Sequence, residues 1–298
     1  MEQQTSQPER SLFANLISLV KPRIIELLLV TTVPAMILAE QGWPRLSLVI
    51  SVVGFGTLAA AGANAWNSII ERESDALMTR TAHRPLVTGE LSLKISVITA
   101  LVLTFTSVIG MLTLVNWQSS VLTAAAIGFY VLGYTIWLKP RTNQNIVWGG
   151  IAGCFPVLIA DSAVNGIVSL NGWLLFLLIF VWTPAHYWPL AAHFKEDYAR
   201  VAIPMLPVDK PSSIVANWTT IYAIATAIVS TMIFPVLELG FIYIATTSIA
   251  NLMFLSVCFR YVRQTRQNQE ANSMTVFHLS ISYLALVFLA IAVDTLVV

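Results

Sequence analysis

Asn67, Glu71 and Asp75 stand four residues apart in NSIIERESD, and Asn64 precedes them by three. At 3.6 residues per turn these four side chains share one helix face. Two carboxylates and amide carbonyls are all oxygen donors. Such a set suits Mg²⁺, which takes one or two carboxylates and completes its shell with water and substrate phosphates. Arg80 and Arg84 follow, again four apart, and a guanidinium fork matches phosphate oxygens. The stretch reads as a metal-bridged diphosphate site; the plainer alternative is a set of solvated charges in an interfacial loop. Two points favour the site. Asn67 and Glu71 follow directly on an apolar run, where an ionisable group costs roughly 2.5–3.5 kcal/mol to insert. The spacing also keeps one face, which loop charges need not do.

Two further polar clusters could serve the same chemistry. Lys139 and Arg141 lie in LKPRTNQN, and Lys195, Glu196 and Asp197 lie in HFKEDYARVAIPMLPVD. Each alone is an ordinary charged membrane loop. Together they would supply the several cations that a diphosphate wants beside a metal. Between them runs WTPAHYWPLAAHF, in which Pro184 and Pro189 are expected to kink or loosen a helix. His186 and His193 are seven apart there, about two turns along one face. They read either as hydrogen-bonded interfacial histidines or as contacts to a flat aromatic substrate or a haem iron.

The elements that must position these residues are membrane helices. The chain has 298 residues, 57% of them hydrophobic and only 10% charged, against about 25% charged in a soluble domain. A spanning helix needs about 20 mostly apolar residues. Nine such stretches are expected, at 24–40, 46–68, 94–114, 118–137, 145–163, 171–191, 214–236, 238–259 and 276–296. Short alternating segments, the mark of a membrane barrel, are absent, so helices must satisfy the backbone. The expected organisation is a cytoplasmic N-terminal segment, 1–23, and one nine-helix membrane domain, 24–298. No signal peptide is read in the first residues. Cys154 and Cys258 both fall in expected spans, which argues against a disulfide or zinc role.

With the N-terminus in the cytoplasm, every Lys and Arg except Arg45 falls on the cytoplasmic side, Arg10 and Arg23 included. That is a strong positive-inside pattern. It places the C-terminus outside and any polar site on the cytoplasmic face of the inner membrane.

The motif Asn67-Ser-Ile-Ile-Glu71-Arg-Glu-Ser-Asp75, followed by Met78-Thr-Arg80-Thr81-Ala-His-Arg84-Pro85-Leu86, resembles the UbiA superfamily of intramembrane prenyltransferases. Lys21-Pro22-Arg23, the stretch Tyr134–Gly150, Trp182-Thr183-Pro184-Ala-His186-Tyr-Trp188 and Lys195-Glu196-Asp197-Tyr198 with Ile203-Pro204-Met205-Leu206-Pro207 are similar to the branch that farnesylates haem. The likeness covers about residues 20–210. Glu71 stands where many members have Asp, Ala185 replaces a common Pro, and His193 has no clear counterpart.

The resemblance implies an all-α, nine-helix bundle with a cytoplasm-facing cavity. It implies transfer of a farnesyl group from farnesyl diphosphate to a vinyl group of haem B, giving haem O. Asn67, Glu71 and Asp75 would hold Mg²⁺, and Glu196 and Asp197 would hold a second ion or orient its waters. Arg80, Arg84, Lys139, Arg141 and Lys195 would neutralise the diphosphate. His186 would contact haem, which is substrate rather than cofactor. Membrane lipids and a downstream haem A synthase or terminal oxidase are the implied partners, with no nucleic acid. A quinone-ring or chlorophyll-type acceptor is the nearest alternative. A transporter of anionic metabolites is disfavoured, because its charges would sit near the midplane in repeated broken helices.

Overall fold

A computed structural model describes residues 11–269 and 271–297, without the side chains of residues 23–29. Arg10 and the Arg23 side chain therefore lie outside the described residues. Every described regular element is helical.

Among the described residues, eight helices are long and apolar enough to cross a membrane. They are α2 (Leu46–Ile70), α3 (Leu93–Leu114), α4 (Trp117–Leu138), α5 (Asn145–Asn165), α6 (Leu170–His193), α7 (Ser212–Val236), α8 (Phe241–Arg266) and α9 (Ser273–Val297). Each contains or overlaps closely one of the expected spans. The remaining expected span, 24–40, falls in α1 (Pro22–Glu40). A further helix of nine residues, Leu12–Val20, stands within the expected N-terminal segment, capped by the Ser11 hydroxyl, which accepts from the Ala14 N–H.

Chain neighbours pack as spatial neighbours, α2 on α3, α3 on α4, and so on through α8 on α9, and α9 returns to pack on α1. Short connections between apolar helices produce this order directly. α1 also packs on α5, and α6 on α9, across the ring. The largest core cluster joins α1, α5, α6, α7, α8 and α9 through residues such as Met36, Val157, Leu178, Phe254 and Phe288. α5 is the most buried of the eight spans. Outward faces carry large apolar residues, including Phe105, Leu112, Leu252 and Phe259. Lipid tails are as apolar as these side chains, so nothing drives them inward.

Two buried aspartates tie helix ends opposite the charged loops. Asp161 of α5 accepts from the Ser169 N–H (2.5 Å) and Ser169 Oγ (2.8 Å), at the start of α6. Asp294 of α9 accepts from the N–H of Gly240 and from that of Tyr243 (3.1 Å), at the start of α8. The first N–H groups of a helix have no partner within it, and a carboxylate there also meets the positive end of the helix dipole. Asp294→Ala strands those donors and is expected to cost about 1–3 kcal/mol. The check is thermal unfolding in detergent: a lower melting temperature is expected, and an unchanged one contradicts the capping role.

Candidate active site

The polar residues gather at the end of the bundle where α2, α4 and α6 finish and α1 begins. α2 is followed by the short helix Arg72–Leu77. The turn between them stays helical: the Glu71 N–H donates to Asn67 O (2.9 Å) and the Asp75 N–H to Glu71 O (2.8 Å). Asn67, Glu71 and Asp75 therefore keep the common face that their spacing predicts.

That face is met by a nearby arginine and by two lysines from distant parts of the chain. Lys139 Nζ pairs with Glu71 Oε1, and Arg84 Nη1 with Asp75 Oδ2. Lys21 Nζ donates to Asn67 Oδ1 (2.5 Å), while Asn67 Nδ2 donates to Thr135 Oγ1 (3.2 Å) on α4. Asn64 is bound by its Nδ2 to Val20 O (3.0 Å) and by its Oδ1 to the Tyr130 hydroxyl (3.4 Å). A carboxylate withdrawn from water needs such partners. Burial pushes the Glu71 carboxyl up, but Lys139 and Lys21 beside it win and hold it below its ordinary range. Burial, reinforced by Arg84, lowers the Lys21 ammonium to about 7.

Lys21 and Lys139 reach the site through unusual backbone. Lys21 joins the Leu12–Val20 helix to α1 in a left-handed conformation (φ 53°). The last ten residues of α4, Phe129–Leu138, are wound as a π-helix, and the Lys139 N–H donates to Tyr134 O (2.9 Å), five residues back. π-helical turns recur at functional sites. This one sets Thr135 against Asn67 and Lys139 against Glu71. Gly149 makes room for it, since a Cβ there would collide with the Tyr134 ring.

The loop after the acidic motif is held by the loop after α6. Asp197 Oδ1 accepts from the Thr79 N–H (3.1 Å), its Oδ2 from the Arg80 N–H (3.2 Å), and Arg200 pairs with it at 3.2 Å. Burial raises the Asp197 carboxyl, yet the two backbone N–H groups and Arg200 bring it below its ordinary range. Arg80 stacks over Phe194 (4.9 Å to the ring centre). Asn145 Nδ2 donates to Lys139 O (3.2 Å) and Pro204 O (2.9 Å), joining the loop after α4 to the same region.

The structure thus brings Asn67, Glu71, Asp75, Arg84 and Lys139 together, and ties Asp197 and the Arg80 backbone into the adjoining wall. It does not gather the rest. Arg141 donates to Ile136 O (2.7 Å) and Trp137 O (3.0 Å), capping its own helix. Lys195 and Glu196 are exposed. His186 lies within α6, about 10 Å below the helix end at His193 by helix rise. Trp182 is buried, stacked on His186. Lys21 and Arg200 are site residues that the charge pattern does not single out. Lys21 precedes a proline at a helix start, and only the turn geometry turns it inward. The tyrosines 130, 134, 187 and 198 also lie near here: the Tyr187 and Tyr198 hydroxyls are 3.2 Å apart, and the Tyr130 and Tyr134 ring centres 5.7 Å. In sequence they are scattered aromatics on apolar helices.

A profile of the UbiA prenyltransferase family matches residues 28–281. The protoheme IX farnesyltransferase of Clavibacter michiganensis subsp. michiganensis is 45% identical over 280 residues, which cover 94% of this chain and 92% of that protein. That of Streptomyces coelicolor is 48% identical over 283 residues, covering 93% and 89%. Among solved structures, a digeranylgeranylglyceryl phosphate synthase superposes with a TM-score of 0.77 at 14% identity, over 96% of this chain and 99% of that one. A UbiA homologue from Archaeoglobus fulgidus, described as bound to GPP and Mg²⁺, gives 0.66 at 15% identity over 93% and 99%. At those identities the likeness speaks to the fold. The chain belongs to the UbiA prenyltransferase family, and the relatives it matches at nearly half identity are protoheme IX farnesyltransferases.

Proposed function

We propose that this protein transfers a farnesyl group from farnesyl diphosphate to a vinyl group of haem B, giving haem O, at the cytoplasmic face of the membrane. Its relatives carry the name of that activity. The observation that carries the site is the pairing of Glu71 and Asp75 with Lys139 and Arg84. Two carboxylates and two cations, interlocked at the mouth of an apolar bundle, hold the complementary halves of a metal–diphosphate site.

The donor set fits Mg²⁺. Asn67, Glu71 and Asp75 offer oxygen alone. Among the described residues no three carboxylate, histidine or cysteine side chains converge, so the protein would supply two carboxylates and leave other positions to diphosphate oxygens and water. Bound there, Mg²⁺ would neutralise charge as the diphosphate leaves. Lys139 and Arg84 turn from the carboxylates, and Lys21 from the Asn67 amide, to the diphosphate and stabilise it as the allylic C–O bond breaks. The vinyl carbon captures the allylic cation, water adds to the adjacent carbon, and a proton is released. The farnesyl tail lies among the helices, where burial at about 0.8 kcal/mol per CH₂ is worth on the order of 10 kcal/mol at most. His186 faces the haem. Asp197 and Arg200 keep the Thr79–Arg84 loop in place rather than reacting. The N-terminus lies inside, α1 serves as the ninth span, and residues 1–23 lie on the cytoplasmic side, with the Leu12–Val20 helix at the interface.

The direct test is mass spectrometry of haem extracted after incubation of purified protein with haem B, farnesyl diphosphate and Mg²⁺. A Mg²⁺-dependent hydroxyethylfarnesyl adduct with release of diphosphate is the expected result; diphosphate release with unmodified haem rejects the acceptor. Asp75→Asn keeps the shape and removes the charge. It is expected to lower kcat at least about a hundredfold while the protein still inserts and elutes normally; near-normal turnover removes Asp75 from the metal site. Asp197→Ala frees the Thr79–Arg84 loop. It should raise KM for farnesyl diphosphate about tenfold, with a smaller change in kcat, and a loss confined to kcat would make Asp197 a reacting group instead.

A further inference from the structure

His186 sits between two prolines of α6, and its ring is clamped on both faces. Trp182 stacks on one side, with ring centres 4.3 Å apart and 12° between planes. Phe277 of α9 stacks on the other at 4.7 Å and 25°. The ring can make polar contacts only at its edge. There, Nδ1 lies 2.7 Å from the Ser280 hydroxyl, also on α9. That hydroxyl has a second neighbour, the Phe277 carbonyl oxygen, at 2.6 Å. Ser280 is fully buried, and its own carbonyl accepts from Trp182 Nε1 (3.0 Å).

A serine hydroxyl has one proton, and a carbonyl oxygen can only accept. The Ser280 proton is therefore committed to Phe277 O, and Ser280 Oγ must accept from His186. Nδ1 carries the hydrogen, and in the neutral ring Nε2 is left with a lone pair. No hydrogen bond engages Nε2 among the described residues. An acceptor nitrogen on a clamped ring suits a metal ion, and it disfavours a haem propionate, which would need a donor. Histidines that bind metals usually donate their other N–H to a fixed acceptor, which sets tautomer and ring orientation.

We infer that Ser280 is a positioning residue that locks His186 as the Nδ1–H tautomer, so that Nε2 is presented as an axial ligand to the iron of the haem substrate. This rests on haem being the acceptor, which the product assay above tests separately.

Two readouts test the inference on the full-length protein. The first needs no haem. Nitrogen-15 NMR of histidine-labelled protein, with His186→Gln to assign the signal, should show Nδ1 protonated and Nε2 bare; the opposite tautomer overturns the proposal. The second is absorption and EPR spectroscopy of protein titrated with ferric haem. Wild type should show nitrogen ligation, His186→Gly should lose it, and added imidazole should restore it. Ser280→Ala should weaken haem binding about tenfold and mix the ligation states, with Ser280→Thr restoring both. An unchanged spectrum in folded His186→Gly removes the iron ligand. If Ser280→Ala matches wild type while His186→Gly loses ligation, the positioning role fails and the ligand stands. Haem O formation by wild type without nitrogen ligation keeps the reaction and overturns this inference alone.

Discussion

A carboxylate at the end of a membrane helix has to be met by a cation, and the site is arranged around that demand. Glu71 and Asp75 sit where α2 leaves the apolar layer. Lys139 and Arg84 meet them there, as charges drawn from water require. Replacing such a pair by apolar residues often costs nothing, so stability alone does not explain its presence. Its chemistry does. The cations that neutralise the carboxylates in the free protein are those a diphosphate needs, and the carboxylates they release are those a divalent ion needs. One set of charges can therefore serve two states, free and loaded, without exposing an unpaired charge in either.

The rest of this end of the bundle holds those partners at the right places. Lys139 is aimed by a π-helical turn, and Arg84 by a loop whose backbone N–H groups at Thr79 and Arg80 are fixed by Asp197. Asn145 stitches the loop after α4 to that after α6. These ties join the ends of α2, α4 and α6, helices that the bundle order already brings to the same face. The opposite end carries its own ties, Asp161 and Asp294, which cap helices and take no part in the site. On the proposed reading, polar residues at the two ends divide into reactive and structural sets.

Much of this was legible in the sequence, for physical reasons that differ by residue. The helix bounds follow from apolar run length, because the bilayer sets it. The shared face of Asn67, Glu71 and Asp75 follows from helix periodicity, which survives the break at Glu71 because the backbone hydrogen bonds run through it. The pairing of cation with carboxylate does not follow: Lys139 lies 68 residues from Glu71, and nothing local marks it above Arg141, which turns back onto its own carbonyls. Asp197 looks like a metal ligand by type; its partners in the free protein, the N–H groups of a distant loop, could not be read from the sequence. Lys21 needed the left-handed turn to be seen, and Ser280, 94 residues from His186, is one serine among many on apolar helices.

On the proposed reading, metal and diphosphate bind together because each takes one half of the resting ion pairs. Calorimetric titration of Mg²⁺ into purified protein, with and without a non-hydrolysable farnesyl diphosphate analogue, tests it most directly. Coupling between the two sites must be reciprocal. Mg²⁺ alone is expected to bind weakly, the analogue to tighten it at least about tenfold, and Mg²⁺ to tighten the analogue by the same factor. Equal Mg²⁺ affinity with and without the analogue would contradict it, since the carboxylates would then be open to metal while Lys139 and Arg84 still held them.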